Sequence, residues 1–313
     1  MKSPLRHARP VQLDPVTLTE DLQRTFASPS YRPPTLPDVA MEVMELTSRA
    51  DVKLLELAVL LQRDPVLAAR VLSISQSAAY ALRSPPVTLQ QAVVRLGLET
   101  LREIVVVAAL SERVFQVSGH EPFVGRLALH STATAHVLRL LLRQLRIEAA
   151  HGFMCGLLHD IGFGAGLLAA MERVEWRRLP AQQLERVLDA VHVDASGIVA
   201  RLWKLPEPIQ QVLASHHEIA VDGKPLPLNA ALIVAEQLCW EAGAGMLPAP
   251  DYVDPTWRET PDPPLEGLDV NWPDKVSEAR ALLHIDEGAL ATARERAFAV
   301  VASLSGGSGG LAA

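Results

Sequence analysis

Hydrophobic positions recur along this chain at the three-to-four-residue spacing of helices, without the strict alternation of half-buried strands. A proline-punctuated opening (residues 4, 10, 15, 29, 33 and 34) leaves room for one short helix near 17–26. The helical pattern sets in with TLPDVAMEVMELTSR, where Val39, Val43, Met44 and Leu46 recur at helical spacing and Pro37-Asp38 is a start signal. In DVKLLELAVLLQRD the next stripe is Leu54, Leu55, Ala58 and Leu61. Asp64 then reads as an N-cap, with Pro65 in the first turn, where its missing N–H costs nothing. Thr88 caps TLQQAVVRLG, and Gly97 is its stop. The β-branched run at 104–107 is ambiguous alone, but ETLRE before it and AALSER after it favour helix. Gly119, His120 and Pro122 mark a break, after which a second helical stretch runs to about residue 241.

The layout that follows is an all-α protein. It has an irregular Pro-rich leader at 1–34, an N-terminal helical bundle at 35–122 and a second helical lobe at 123–241. A Pro- and Asp-rich loop covers 242–274, a C-terminal helical segment 275–304 and a flexible tail 305–313.

Composition sharpens this reading. Apolar residues make up 49% and aromatics only 4%, so Leu, Ala and Val must build the core, which favours helix-on-helix packing. The charge balance of 29 basic against 36 acidic residues, a net of −7, argues against nucleic acid as a partner. Arg139, Arg143 and Arg146 in RLLLRQLR read as a solvated helix face. Cys155 and Cys239 form no CxxC and sit in apolar settings, as small hydrophobes do. The N-terminus has no apolar signal-peptide region, and runs such as IVVVAAL fall short of the roughly 20 residues of a membrane span. The expected location is the cytoplasm.

The chemistry gathers in the second lobe. Eight of the ten histidines lie between residues 120 and 217. In GLLHDIG, residues 156–162, His159 and Asp160 stand between apolar neighbours, where an unpaired carboxylate is costly to bury. Their partner is each other, a backbone group or a metal ion. His130, His192, the pair His216-His217 and Glu236 each lie in an apolar, helix-patterned segment. Helices that each deliver a ligand to one centre are how bundles build metal sites, and this donor set suits Fe, Mn, Zn or Ni. Adjacent ligands at His159-Asp160 require the helix to loosen there, which Gly162 would permit. His7, His120, His136, His151 and His284 read as ordinary surface or core histidines.

The stretches LPDVAMEVMELTSRADVKLLELAVLLQRDPVLAARVLSISQSAAY, VTLQQAVVRLGLETLREIVV and FMCGLLHDIG resemble the HDOD domain, over roughly Thr35 to Glu236. That resemblance implies an N-terminal helical bundle followed by an HD-like helical core. It also implies a bacterial signal-transduction output or scaffold module, with hydrolysis lost in most members. A wider resemblance to HD phosphohydrolases, including the HD-GYP cyclic-di-GMP phosphodiesterases, maps their metal ligands onto His130, His159, Asp160, His192, His216 and His217. Glu236 stands where a final aspartate would be. Two departures count against hydrolysis: Phe163 replaces the lysine after HDIG, and DGKPLP carries no Gly-Tyr-Pro signature. The implied function is a regulatory module that binds a signalling protein or a nucleotide, with one or two divalent metals retained. The alternative is a metal-dependent phosphohydrolase of a nucleotide or cyclic dinucleotide.

Overall fold

A computed structural model describes residues 15–47, 51–76, 86–114, 116–149, 151–247 and 272–306. Residues 1–14 of the expected leader, most of the 242–274 loop and the end of the tail lie outside them. Among the described residues the chain is helical, apart from one two-stranded hairpin.

Helix α1 (Pro15–Ala27) buries Leu18, Leu22 and Phe26. Helices α2 (Asp38–Thr47), α3 (Leu54–Leu61), α4 (Pro65–Ser75) and α5 (Leu89–Arg113) form the first lobe, with α2, α3 and α4 packed on α5. The caps fall where the residues put them. The Asp64 side chain accepts from Val66 N at 3.1 Å and Leu67 N at 3.0 Å, satisfying two of the first-turn amides of α4. Thr88 Oγ1 accepts from Gln91 N at 3.2 Å. Gly97, with φ +76°, breaks α5 into two helical runs, a backbone conformation in which a Cβ would be strained. The β-branched run 104–107 is helical and buried throughout.

The second lobe starts with α6 (Glu121–Leu145), which begins nine residues before His130. It continues with α7 (Gly152–Leu158), α8 (Ile161–Met171), α9 (Ala181–Leu202), α10 (Glu207–Leu213) and α11 (Pro227–Glu241). Between α10 and α11, β1 (Ala220–Val221) pairs antiparallel with β2 (Lys224–Pro225). Asp222 and Gly223, at φ +51° and +72°, supply the turn, so DGKP is a tight hairpin. α12 (Trp272–Leu282) packs on α11, and α13 (Glu287–Gly306) packs on α6 and α11.

Three expectations need correcting. The short helix expected near 17–26 is α1, but it is no loose part of a leader; it packs along α9 and touches α8, tied by Arg173 to Asp21 at 3.1 Å and to Thr25 Oγ1 at 3.1 Å. The three arginines at 139–146 share no solvated face. Arg139 turns inward to Glu103 on α5, at 2.7 Å, while Arg143 and Arg146 are exposed. Finally, Gly152–Met171 is long and apolar enough to cross a membrane by composition. It is split by the His159-Asp160 turn and buried in the bundle, so its apolar character is that of a core element.

Candidate metal centre

Seven side chains from five places in the second lobe meet near Asp160. α6 brings His130, the α7–α8 turn brings His159 and Asp160, and α9 brings His192. The turn after α10 brings His216 and His217, and α11 brings Glu236. All are buried except His217, which is half-buried.

Two close approaches set the spacing. A Cβ on Gly156 would sit 2.8 Å from the Ala135 backbone, so this glycine lets α7 lie against α6 and brings His159 to His130. A Cβ on Gly162 would fall inside the His192 carbonyl, so that glycine lets α8 lie against α9. The helix does break at His159-Asp160 as expected, between α7 and α8, but Gly162 lies inside α8 and its place is a helix–helix contact. Its N–H, one of the orphan amides at the start of α8, donates to Ser196 Oγ at 2.9 Å.

The orientation of the imidazoles follows from the backbone. His130 Nδ1 faces the Ala244 carbonyl at 2.9 Å, and His159 Nδ1 the Gly156 carbonyl at 2.9 Å. His192 Nδ1 faces the Asp189 carbonyl at 2.6 Å, and His216 Nδ1 the Leu213 carbonyl at 3.1 Å. A carbonyl only accepts, so each neutral ring carries its hydrogen on Nδ1 and turns the lone pair of Nε2 inward. This is the tautomer that metal-ligating histidines hold through their outer partners.

The inward atoms surround one carboxylate. Asp160 Oδ2 lies 3.3 Å from His130 Nε2 and 3.4 Å from His159 Nε2. Oδ1 lies 3.5 Å from His216 Nε2 and 3.6 Å from His192 Nε2. Glu236 Oε1 is 3.8 Å from His159 Nε2. The donors divide into two groups, His130-His159-Asp160 and His192-His216-His217, each with its ligand atoms within 4.8 Å of one another.

Electrostatics favour a cation here. His130 Nε2 and His159 Nε2 stand 3.2 Å apart, and with both hydrogens held at Nδ1 two lone pairs face each other. Asp160 Oδ1 and His216 Nε2 are buried without a hydrogen bond, a state that costs about 1–3 kcal/mol per group unless something positive meets them. Burial pushes His159 down and His192 down to about 4, against the pull of Asp160. Burial, then the neighbouring His216 and His192, hold His217 well below its ordinary value. Burial opposes ionisation of Asp160, but positive charge at His159 and Nε2–H donors at His130, His159 and His216 outweigh it and keep its carboxyl well below the usual range, a part that a cation would take over once the rings are neutral. Neutral imidazoles around an ionised carboxylate are the protonation states that metal binding requires, so the donor set fits a divalent ion.

Aromatic rings flank the centre. Phe163 stacks on His192, with centroids 4.4 Å apart and planes 15° from parallel. Trp272 meets the His217 ring edge-on at 5.6 Å, and its Nε1 donates to Gln237 Oε1 at 3.0 Å. Lys275 Nζ donates to the His217 carbonyl at 2.9 Å. Sequence reasoning missed the Ala244 carbonyl, which arrives through the turn at Gly243 (φ +87°) and is steadied by Arg126 Nε on Met246 O at 3.3 Å. A main-chain acceptor leaves no residue-type signal. Ser196, Trp272 and Lys275 were missed too; only Asp189, one helical turn before His192, had a signal in its spacing.

An all-helical, two-lobe protein with an HD-type cluster of His and Asp donors is the class that fold and site define. The HDOD domain model matches residues 34–219, and the chain belongs to that family. An HDOD domain protein of unknown function from Geobacter sulfurreducens is 25% identical, with a TM-score of 0.57 over 87% of this chain and 99% of that one. A candidate metal-dependent phosphohydrolase from Shewanella amazonensis shares the fold at 20% identity and a TM-score of 0.61, over 86% and 99% of the two chains. A candidate signal-transduction protein from Marinobacter aquaeolei shares it at 17% and 0.61, over 97% and 68%. An uncharacterised Treponema pallidum protein is 25% identical over 222 residues, 67% of this chain; the chain spans only 42% of that relative's length.

Proposed function

We propose that this protein is an HDOD signal-transduction module whose second lobe holds one or two divalent ions as part of its folded core. It works by binding a partner protein or a nucleotide, not by turnover. The observation that carries this reading is the closure of a complete donor set. Six of the seven donors are buried, Phe163 lies flat on His192, and Trp272 stands against His217. His130, His159, Asp160 and Glu236 would hold one ion, and His192, His216 and His217 another, with Asp160 between them. A bound ion would stabilise the native state by linkage, since the unfolded chain has no such site.

The test is elemental analysis of protein purified without a metal-chelating tag, repeated on His159→Ala. Metal at one or two equivalents, lost in the variant, together with no phosphate release from a nucleotide panel in Mn or Fe, is the expected result. Metal-free wild-type protein would overturn the metal reading.

A second reading, a phosphohydrolase of a nucleotide or cyclic dinucleotide, draws on one observation: Asp160 presents one oxygen to each donor group. Paired ions so placed supply charge neutralisation at phosphoryl oxygens and an acidified water. Phosphate release from a nucleotide, or ring opening of a cyclic dinucleotide to its linear form, that disappears in His159→Ala would select this reading over the first.

A further inference from the structure

The two donor groups around Asp160 differ in chemistry. On one side, two imidazoles (His130 and His159) share the space with two carboxylates. Asp160 Oδ2 is 3.3 Å from His130 Nε2, and Glu236 Oε1 is 3.8 Å from His159 Nε2. On the other side are three imidazoles, His192, His216 and His217, with Asp160 Oδ1 at 3.5 Å from His216 Nε2 as the near carboxylate oxygen.

From this asymmetry we propose that the centre is a mixed-metal site. The His192-His216-His217 half takes zinc, and the His130-His159-Asp160-Glu236 half takes a harder ion such as Mn(II) or Fe(II). The proposal rests on the metal reading above. Imidazole nitrogen suits zinc, and three histidines are a recurrent zinc set; carboxylate oxygen suits manganese and ferrous iron. Charge points the same way. Glu236 together with the shared Asp160 gives the deeply buried half the larger negative charge. The three-histidine half has only a shared carboxylate and depends on strong nitrogen donors. His192 is strengthened in that role by the Asp189 carbonyl on its Nδ1 at 2.6 Å, with Asp189 Oδ1 3.6 Å away. The surroundings differ as well. The flat ring of Phe163 and the edge of Trp272 give the three-histidine half an apolar wall, which suits neutral nitrogen donors better than further carboxylates. His217 is its half-buried member, so this half lies nearer to solvent.

The experiment equilibrates metal-stripped full-length protein with zinc and a large excess of manganese, which offsets the general preference of nitrogen and oxygen sites for zinc, desalts it, and measures both metals together with the Mn(II) electron paramagnetic resonance. About one equivalent of each is expected, with the signal of an isolated manganese ion. His217→Ala should lose zinc and keep manganese, whereas Glu236→Gln should lose manganese and keep zinc. His217 is half-buried and the glutamine is isosteric, so both variants are chosen to fold; the wild-type stoichiometry is decisive if either fails to. Two zinc ions, two manganese ions, or one ion lost alike in both variants would overturn the assignment and leave a metal centre standing. Binding of neither metal would overturn the assignment and the metal reading together.

Discussion

At Gly162 a single methyl group separates a formed centre from a spread one. A Cβ there meets the main-chain carbonyl of His192, which cannot swing aside as a side chain does, so α8 must move off α9 and His192 leaves Asp160. Gly162→Ala should cost at least the roughly 1–3 kcal/mol typical of overpacking and lower metal content. Gly164→Ala is the control, because the added Cβ meets only side chains, those of Val114 and Leu127, and no main chain. If thermal melts and elemental analysis find the two variants alike, the Gly162 contact is not what sets the spacing. His136, away from the centre, makes a separate prediction. Burial, and secondarily Arg139, push it down to about 3. The folded state then takes its proton only near pH 3, while the unfolded chain takes it near the ordinary value, about 6.5. Between those limits the unfolded state binds more protons, so stability falls as pH falls. His136 should withdraw about 1 kcal/mol between pH 6.5 and 5.5. Urea midpoints should fall less steeply over that interval in His136→Gln than in the wild type; equal slopes would refute the assignment.

Between elements, the buried pair Glu103–Arg139 ties α5 of the first lobe to α6 of the second. Glu103 is almost wholly enclosed, its carboxyl raised by burial against the opposing pull of Arg139, whose guanidinium also meets His136 Nδ1 at 3.0 Å and lies over Phe153 at 5.1 Å. Arg139→Met leaves that carboxylate unpaired and should cost about 3 kcal/mol by denaturant unfolding. Adding Glu103→Met should restore most of it, since an apolar pair of similar volume is often neutral. Failure of the second substitution to rescue the first would mean that Arg139 acts through packing on Phe153 alone. The same pair marks the limit of sequence reading. Helix starts at Asp64 and Thr88 and the break at Gly97 were legible because caps and glycine stops are local chemistry. The inward turn of Arg139 was not, because its partner lies 36 residues away and an arginine on a helix looks the same whether it meets water or a buried acid. The seven donors were nameable as residue types in the HD pattern, but their convergence depends on helix rotations that spacing leaves open. The Ala244 carbonyl, α1 on α9 and the Phe163–His192 stack belong to the same class of long-range facts.

Taken whole, the molecule is larger than its family signature. The match to residues 34–219 leaves out α1, α11, α12 and α13, yet these complete the second lobe. Leu18, Leu22 and Phe26 of α1 are buried along α9 and α8, worth about 1.5–3 kcal/mol each against a typical total of about 5–15 kcal/mol. α11 carries Glu236 and, buried on both sides, lies between α6 and the closing helices α12 and α13. The turn after it delivers the carbonyl that fixes the His130 tautomer. A chain cut to residues 34–219 would keep every histidine of the centre and lose what orients His130, what adds Glu236 and what covers His217. Such a chain should lose its cooperative thermal transition and its near-ultraviolet circular dichroism, and carry no stoichiometric metal, while the full chain keeps all three. If the cut chain instead melted cooperatively within a few degrees of the full one with its metal intact, the histidines alone would suffice to build the centre. The flanking helices would then have to serve something other than the site they enclose.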